Sequence, residues 1–105
     1  MAIDPKTAIE IAKNYAKDVQ KALPIDKAFI YGSYAKGTAD SKSDMDVCFF
    51  LNYGKRNKTQ ILKRLFKLAR PYSNAFLEPN VFETSDLNTG NPFVEEVVRT
   101  GWEIL

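Results

Sequence analysis

Asp44 and Asp46, separated by one residue, open an apolar run, and a Gly-Ser pair, Gly32-Ser33, stands ahead of them with ten residues between. Residues i and i+2 of a strand point to the same side, so the two carboxylates would spring from backbone about 6–7 Å apart and converge on one hard cation. Magnesium fits that donor set, because it prefers oxygen and commonly takes one or two carboxylates plus substrate phosphates. Gly32 closes an apolar stretch and lets backbone approach a ligand, and a helix starting there offers its leading amides to an anion. The Ser33 hydroxyl can donate to a phosphate oxygen, and Gly37 loosens the far end of the turn. Taken singly, Asp-x-Asp also reads as an acidic turn and Gly-Ser as an ordinary bend. Together in the stretch GSYAKGTADSKSDMDV they suggest nucleotide chemistry.

Lys36 and Lys42 lie in the same stretch and either meet phosphates or simply solvate the loop. Ser43, next to Asp44, can cap or orient that carboxylate. Tyr34 can pack in the core or stack on a base.

The flanking elements must hold these groups together. Asp4-Pro5 reads as an N-cap with proline at the first helical position. Ile11, Tyr15 and Val19, with Ala8, Ala12 and Ala22, recur at helical spacing to about Leu23, and Pro24 ends that helix. Residues 27–31, KAFIY, read as a buried strand closed by Gly32. Residues 33–37 suit a short helix, and TADSKS a polar loop. Residues 46–51 form a second strand, apolar on both faces after its acidic start, as in a sheet covered on both sides. A helix over about 56–70 follows, with Ile61, Leu62, Leu65, Phe66, Leu68 and Ala69 as its apolar stripe, and stops at Pro71. Residues 75–82, AFLEPNVF, read as a third strand, at an edge or bulged because Pro79 has no N–H to donate. Asn91-Pro92 starts a last helix with Phe93, Val94, Val97 and Val98 inward and Gly101 at its C-terminal stop. WEIL reads as a short terminal strand or a docking tail. The order predicts a small α/β (α+β) protein, a sheet with flanking helices, in a single domain over residues 1–105.

Composition narrows the chemistry. There is no histidine and one cysteine, Cys48, which removes imidazole catalysis, Cys/His zinc sites and an internal disulfide. Cys48 lies in the run VCFFL and reads as a buried structural thiol, suited to a reducing compartment. A net charge of +2 supplies no field toward DNA or a membrane. The N-terminus has no uninterrupted apolar stretch, so a cytoplasmic protein is expected. The basic run KRNKTQILKRLFKLAR reads either as a solvated helix face or as a surface for RNA or an acidic partner.

The Gly-Ser and Asp-x-Asp spacing resembles the signature of the polymerase-beta-like nucleotidyltransferase superfamily, and especially its minimal members from bacteria and archaea. The ending NPFVEEVVRTGWEIL resembles that group's C-terminal helix. The resemblance implies a nucleotidyltransferase fold built on a small mixed β-sheet. It also implies that Gly32 and Ser33 hold the triphosphate of a nucleotide, most naturally ATP; Lys36 and Ser43, by their place beside the signature, are further candidate nucleotide contacts. Asp44 and Asp46 would bind Mg²⁺ bridging triphosphate and acceptor. The family adds a third carboxylate from a later strand, which helps hold the second metal and activates the attacking hydroxyl. Glu78 fits that role best, since it interrupts AFLEPNVF near its middle, with Glu83 and Asp86 as alternatives. The family more often carries Asp there, and Pro79 can tilt the strand.

Minimal family members lack the second domain that grips base and acceptor. They are often paired with a small helical HEPN-type RNase toxin, which the nucleotidyltransferase restrains as antitoxin, in some cases by placing AMP on a partner tyrosine. The resemblance thus implies NMP transfer from NTP to a hydroxyl, with a HEPN-type partner. Trp102, WEIL and the strand around Pro79 are candidate contact surfaces, and a homo-oligomer stays open. The alternative from another class is a non-catalytic nucleotide- or metal-binding module that neutralises a helical partner by association.

Overall fold

The computed structural model describes residues 4–40 and 43–105. Helix α1, Pro5–Ala22, starts where the Asp4 side chain accepts from the Thr7 N–H at 3.1 Å. It buries Ala8, Ala12, Tyr15, Ala16 and Val19. Strand β1, Ile25–Tyr31, runs into Gly32, and a single turn of helix, α2, follows over Ser33–Lys36. Strand β2 spans Met45–Leu51. Helix α3, Lys58–Ala69, begins two residues later than the spacing suggests, because Asn57 and Gln60 exchange a reciprocal capping box. A 3₁₀ segment, residues 70–75, leads to β3, Leu77–Glu83. That strand starts later than expected because Phe76 takes a left-handed backbone, φ 48°. Asn91 then caps α4, Pro92–Thr100, and β4 is the pair Trp102–Glu103.

The four strands form one mixed sheet in the order β3-β2-β1-β4. β1 lies antiparallel to β2 and β4, and β2 lies parallel to β3. A parallel neighbour requires a crossover, and α3 supplies it. β3 is an edge strand, the place where Pro79 is tolerated. WEIL supplies β4, with Ile104 donating its N–H to the Ala28 carbonyl at 2.8 Å. Gly101 makes that return possible: a Cβ there would lie 2.4 Å from the Val97 carbonyl oxygen and 2.8 Å from that of Ile30.

Alternation along β2 sends Met45, Val47, Phe49 and Leu51 into the larger core beneath α1 and α3. Cys48 and Phe50 go to the opposite face, packed with Phe29 under Val94 and Val97 of α4. Both faces are therefore covered, as the apolar run indicates. Tyr15 ties the larger core together, its ring edge-on to Phe49 and its hydroxyl donating to the Leu65 carbonyl at 2.7 Å. Cys48 is fully buried, and burial pushes its thiol up to about 12. Among the described residues no helix is long and apolar enough to cross a membrane.

Candidate active site

The residues singled out by spacing meet at one end of the sheet. In the register of β2, Asp46 stands opposite Tyr31 of β1 on one side and Glu78 of β3 on the other. Period-two alternation puts Asp46 on the face of Cys48 and Phe50, the α4 side. Glu78 shares that face with Asn80 and Phe82, their register partners being Asp46, Cys48 and Phe50. Neighbouring strands lie about 4.8 Å apart, so Asp46 and Glu78 are immediate side-chain neighbours. Asp44, just ahead of β2, is exposed, Asp46 half-buried and Glu78 exposed.

Gly32 forms the floor beside Asp46. Its backbone, φ 72° and ψ −146°, lies in a region that side chains rarely enter, and a Cβ there would sit 2.3 Å from Asp46 Oδ2. Only glycine lets the bend and the carboxylate occupy this space together. The Lys36 N–H closes the first turn of α2 onto the Gly32 carbonyl at 3.0 Å. The leading N–H groups of a helix have no acceptor within it. Ser33, half-buried, begins the turn.

The electrostatics follow from crowding. Burial, then the negative charges of Asp44 and Glu78, raise the Asp46 carboxyl to about 6. Burial is also the main cause that lifts the Tyr31 phenol to about 12, assisted by Asp46 across the ladder. A carboxylate so placed gains from any cation that reaches it. Among the described residues, however, no three carboxylate or thiol groups are gathered closely enough to hold a metal ion by themselves. The donor set fits a hard cation that brings part of its oxygen shell along with substrate phosphates, and not a closed all-protein cage.

Other expected contacts lie elsewhere. Lys36 Nζ is paired with Glu96 of α4 at 2.9 Å. The Ser43 hydroxyl accepts from the Asp40 N–H at 2.9 Å and donates to the Asp40 carboxylate at 3.2 Å, so it engages Asp40 and not Asp44. Lys42 lies outside the described residues. Glu83 pairs in register with Leu51, about 16 Å along the strand from the Asp46 level. Its carboxylate accepts the Tyr53 N–H at 3.2 Å, and Asp86 lies beyond it in a 3₁₀ turn. Neither alternative reaches the level of Asp46; Glu78, its register partner, does. Tyr34 is buried in the larger core.

The residues around the site include some that spacing does not disclose. Tyr31 stands beside Asp46 and meets Phe93 edge-on at 5.6 Å. A cavity of about 180 Å³ opens between Gly32, Tyr31 and the Phe93–Thr100 side of α4. The available signal was Tyr31 itself, a polar-tipped ring at the last strand position before Gly32.

This assembly, a glycine bend abutting one member of a strand-borne acid pair, sits on a mixed sheet backed by helices. Residues 12–98 match the nucleotidyltransferase domain family, and the chain belongs to it; it is a nucleotidyltransferase. A relative from Methanocaldococcus jannaschii, provisionally named a protein adenylyltransferase, is 30% identical over 101 residues, which span 91% of this chain and 97% of that protein. A crystal structure from Sulfolobus solfataricus, provisionally named a nucleotidyltransferase, superposes with a TM-score of 0.66 at 19% identity. That match covers 79% of this chain and 73% of the other, a likeness of fold. Membership implies a nucleoside triphosphate substrate, and domains of this family generally use divalent metal ions.

Proposed function

We propose that this protein transfers AMP from ATP to a hydroxyl on a partner protein, using Mg²⁺. The observation that carries the reading is the position of Asp46, wedged between the Gly32 bend and Glu78 and lifted to about 6. Gly32 and Ser33 would receive the triphosphate, and Asp44, Asp46 and Glu78 would hold the metal. Bound Mg²⁺ would neutralise charge along the triphosphate and on departing pyrophosphate. The acceptor oxygen attacks the α-phosphorus, the bond to the bridging oxygen breaks, and pyrophosphate leaves. Glu78, at the open edge, accepts the hydroxyl proton. Lys36 is paired with Glu96 and would reach phosphate only by leaving that pair.

The adenylyl group and the protein acceptor rest on the name of the Methanocaldococcus relative. A HEPN-type toxin as that acceptor, with this chain as antitoxin in the cytoplasm, rests on the resemblance of the signature. A second reading, a nucleotide-binding module that restrains its partner without chemistry, is favoured by one observation: the described acidic groups do not close into a complete metal site. Incubation with α-labelled ATP, Mg²⁺ and the candidate partner separates the two. Label transfer that disappears in Asp46→Asn supports the enzyme, whereas partner inhibition that survives this change, with no label transferred, supports the module.

A further inference from the structure

The charge on this chain is divided between two regions. Between Asp46 and Glu78 there are seven Lys and Arg residues and no Asp or Glu, while the rest of the chain carries a net −5. The basic segment is mostly α3, which packs Ile61, Leu65 and Ala69 inward and turns Lys63, Arg64 and Lys67 to solvent, with exposed Arg70 just past its end. None of these four joins an ion pair among the described residues. Asp18, the nearby acid, accepts a hydrogen bond from Tyr72. Lys63 and Lys67 form a ridge between two surface grooves, one bordered by Phe66 and Arg70, the other by Arg64 and Pro71. Phe66 is 45% exposed in the midst of these cations.

We propose that the outer face of α3 binds a single-stranded polynucleotide. Like-signed side chains about 4.5–6 Å apart along a helix repel one another, and a phosphate chain relieves that repulsion while releasing its counterions. An exposed aromatic ring among them gives a base a surface to stack on. Lysine supplies half of the four cations, and lysine is depleted in protein–protein interfaces but common in phosphate contacts, which favours a nucleic acid over an acidic protein.

Fluorescence anisotropy of labelled 15-nucleotide oligo(U) and oligo(dT) across a salt series tests this. Neutralising four phosphates gives a log–log salt slope of about −3 and, at physiological salt, a Kd in the range of about 10⁻⁴–10⁻⁶ M. Lys63→Glu with Lys67→Glu lowers affinity at least about tenfold and roughly halves the slope. Phe66→Ala weakens binding about tenfold with the slope unchanged, and Phe66→Tyr restores it. Thermal unfolding confirms that the variants fold; the milder pair Lys63→Gln and Lys67→Gln gives a smaller loss of the same sign. A preference for oligo(U) identifies RNA as the occupant, and equal affinities a site indifferent to the sugar. The proposal is overturned by no binding at protein concentrations up to about 10⁻⁴ M, by binding that the glutamate pair leaves intact, or by a Phe66→Ala variant that binds like the parent. It is equally overturned if an amphipathic acidic peptide displaces the oligonucleotide and binds more tightly through Phe66.

Discussion

The Asp46 carboxylate rests on the bare backbone of Gly32: a Cβ at residue 32 would come within 2.3 Å of Asp46 Oδ2. The two residues belong to different elements, one ending β1 and the other opening β2, and the antiparallel register of those strands brings them together. The bend proposed to receive phosphate and the Asp46 carboxylate are thus a single packed unit.

Gly32→Ala should disturb both halves of that unit. The positive-φ backbone alone costs about 1–3 kcal/mol for a residue with a side chain. The new methyl must also displace the Asp46 carboxylate, and a shift of about 1 Å in a reacting group costs roughly 100-fold in rate. Urea unfolding and label transfer measure the two effects, and a variant that keeps wild-type transfer would contradict the geometry.

Asp46→Asn should stabilise the apo protein at neutral pH while abolishing transfer. The folded pKa, about 6, lies above the ordinary value of 3.8. The folded state therefore binds the proton more tightly, so the contribution is fully present below about pH 4 and is lost as pH rises through about 6. With the carboxyl only half-buried, solvent screening reduces the expected difference at pH 8 to about 1 kcal/mol. Parent and variant should converge in stability at pH 4 and separate above pH 6 in thermal unfolding.

Mg²⁺ with ATP should raise the melting temperature where either alone does little. A ligand at 100 times its Kd stabilises by about 2.7 kcal/mol, which for a chain of this size corresponds to roughly 10–20 °C. Asp46→Asn should remove most of that shift. Calorimetry that detects no magnesium-dependent uptake of any nucleoside triphosphate, with a cognate partner present, would contradict the assignment of the site.

Glu78→Gln should reduce label transfer at least about 100-fold, in the range lost with a general base, and leave nucleotide binding within a few-fold. Glu83→Gln and Asp86→Asn, at the far end of the strand, should retain near-parental transfer. Equal losses from Glu78 and Glu83 variants would place the third carboxylate elsewhere.

Much of this arrangement was readable in local pattern. Caps at Asp4 and Asn91 mark helix starts, the doubly apolar β2 marks a covered sheet, and Pro79 marks an edge, because each signal acts within a few residues. The pairings that complete the site act over long separations and leave no local trace. Lys36 finds Glu96 sixty residues away, and Asp46 faces Glu78 only because α3 carries the chain across to a parallel neighbour. Ser43 sits beside Asp44 in sequence, yet its hydroxyl engages Asp40. The late start of β3 depends on Phe76, whose left-handed backbone is unusual for a bulky residue.

Cys48 lies one pleat beneath Asp46, completely enclosed. Its thiolate is scarce at neutral pH, and no path leads to it while sheet and α4 remain joined. Thiol-alkylating reagents should therefore modify Cys48 only as fast as the sheet opens, so the one native thiol can time how often the floor beneath Asp46 comes apart.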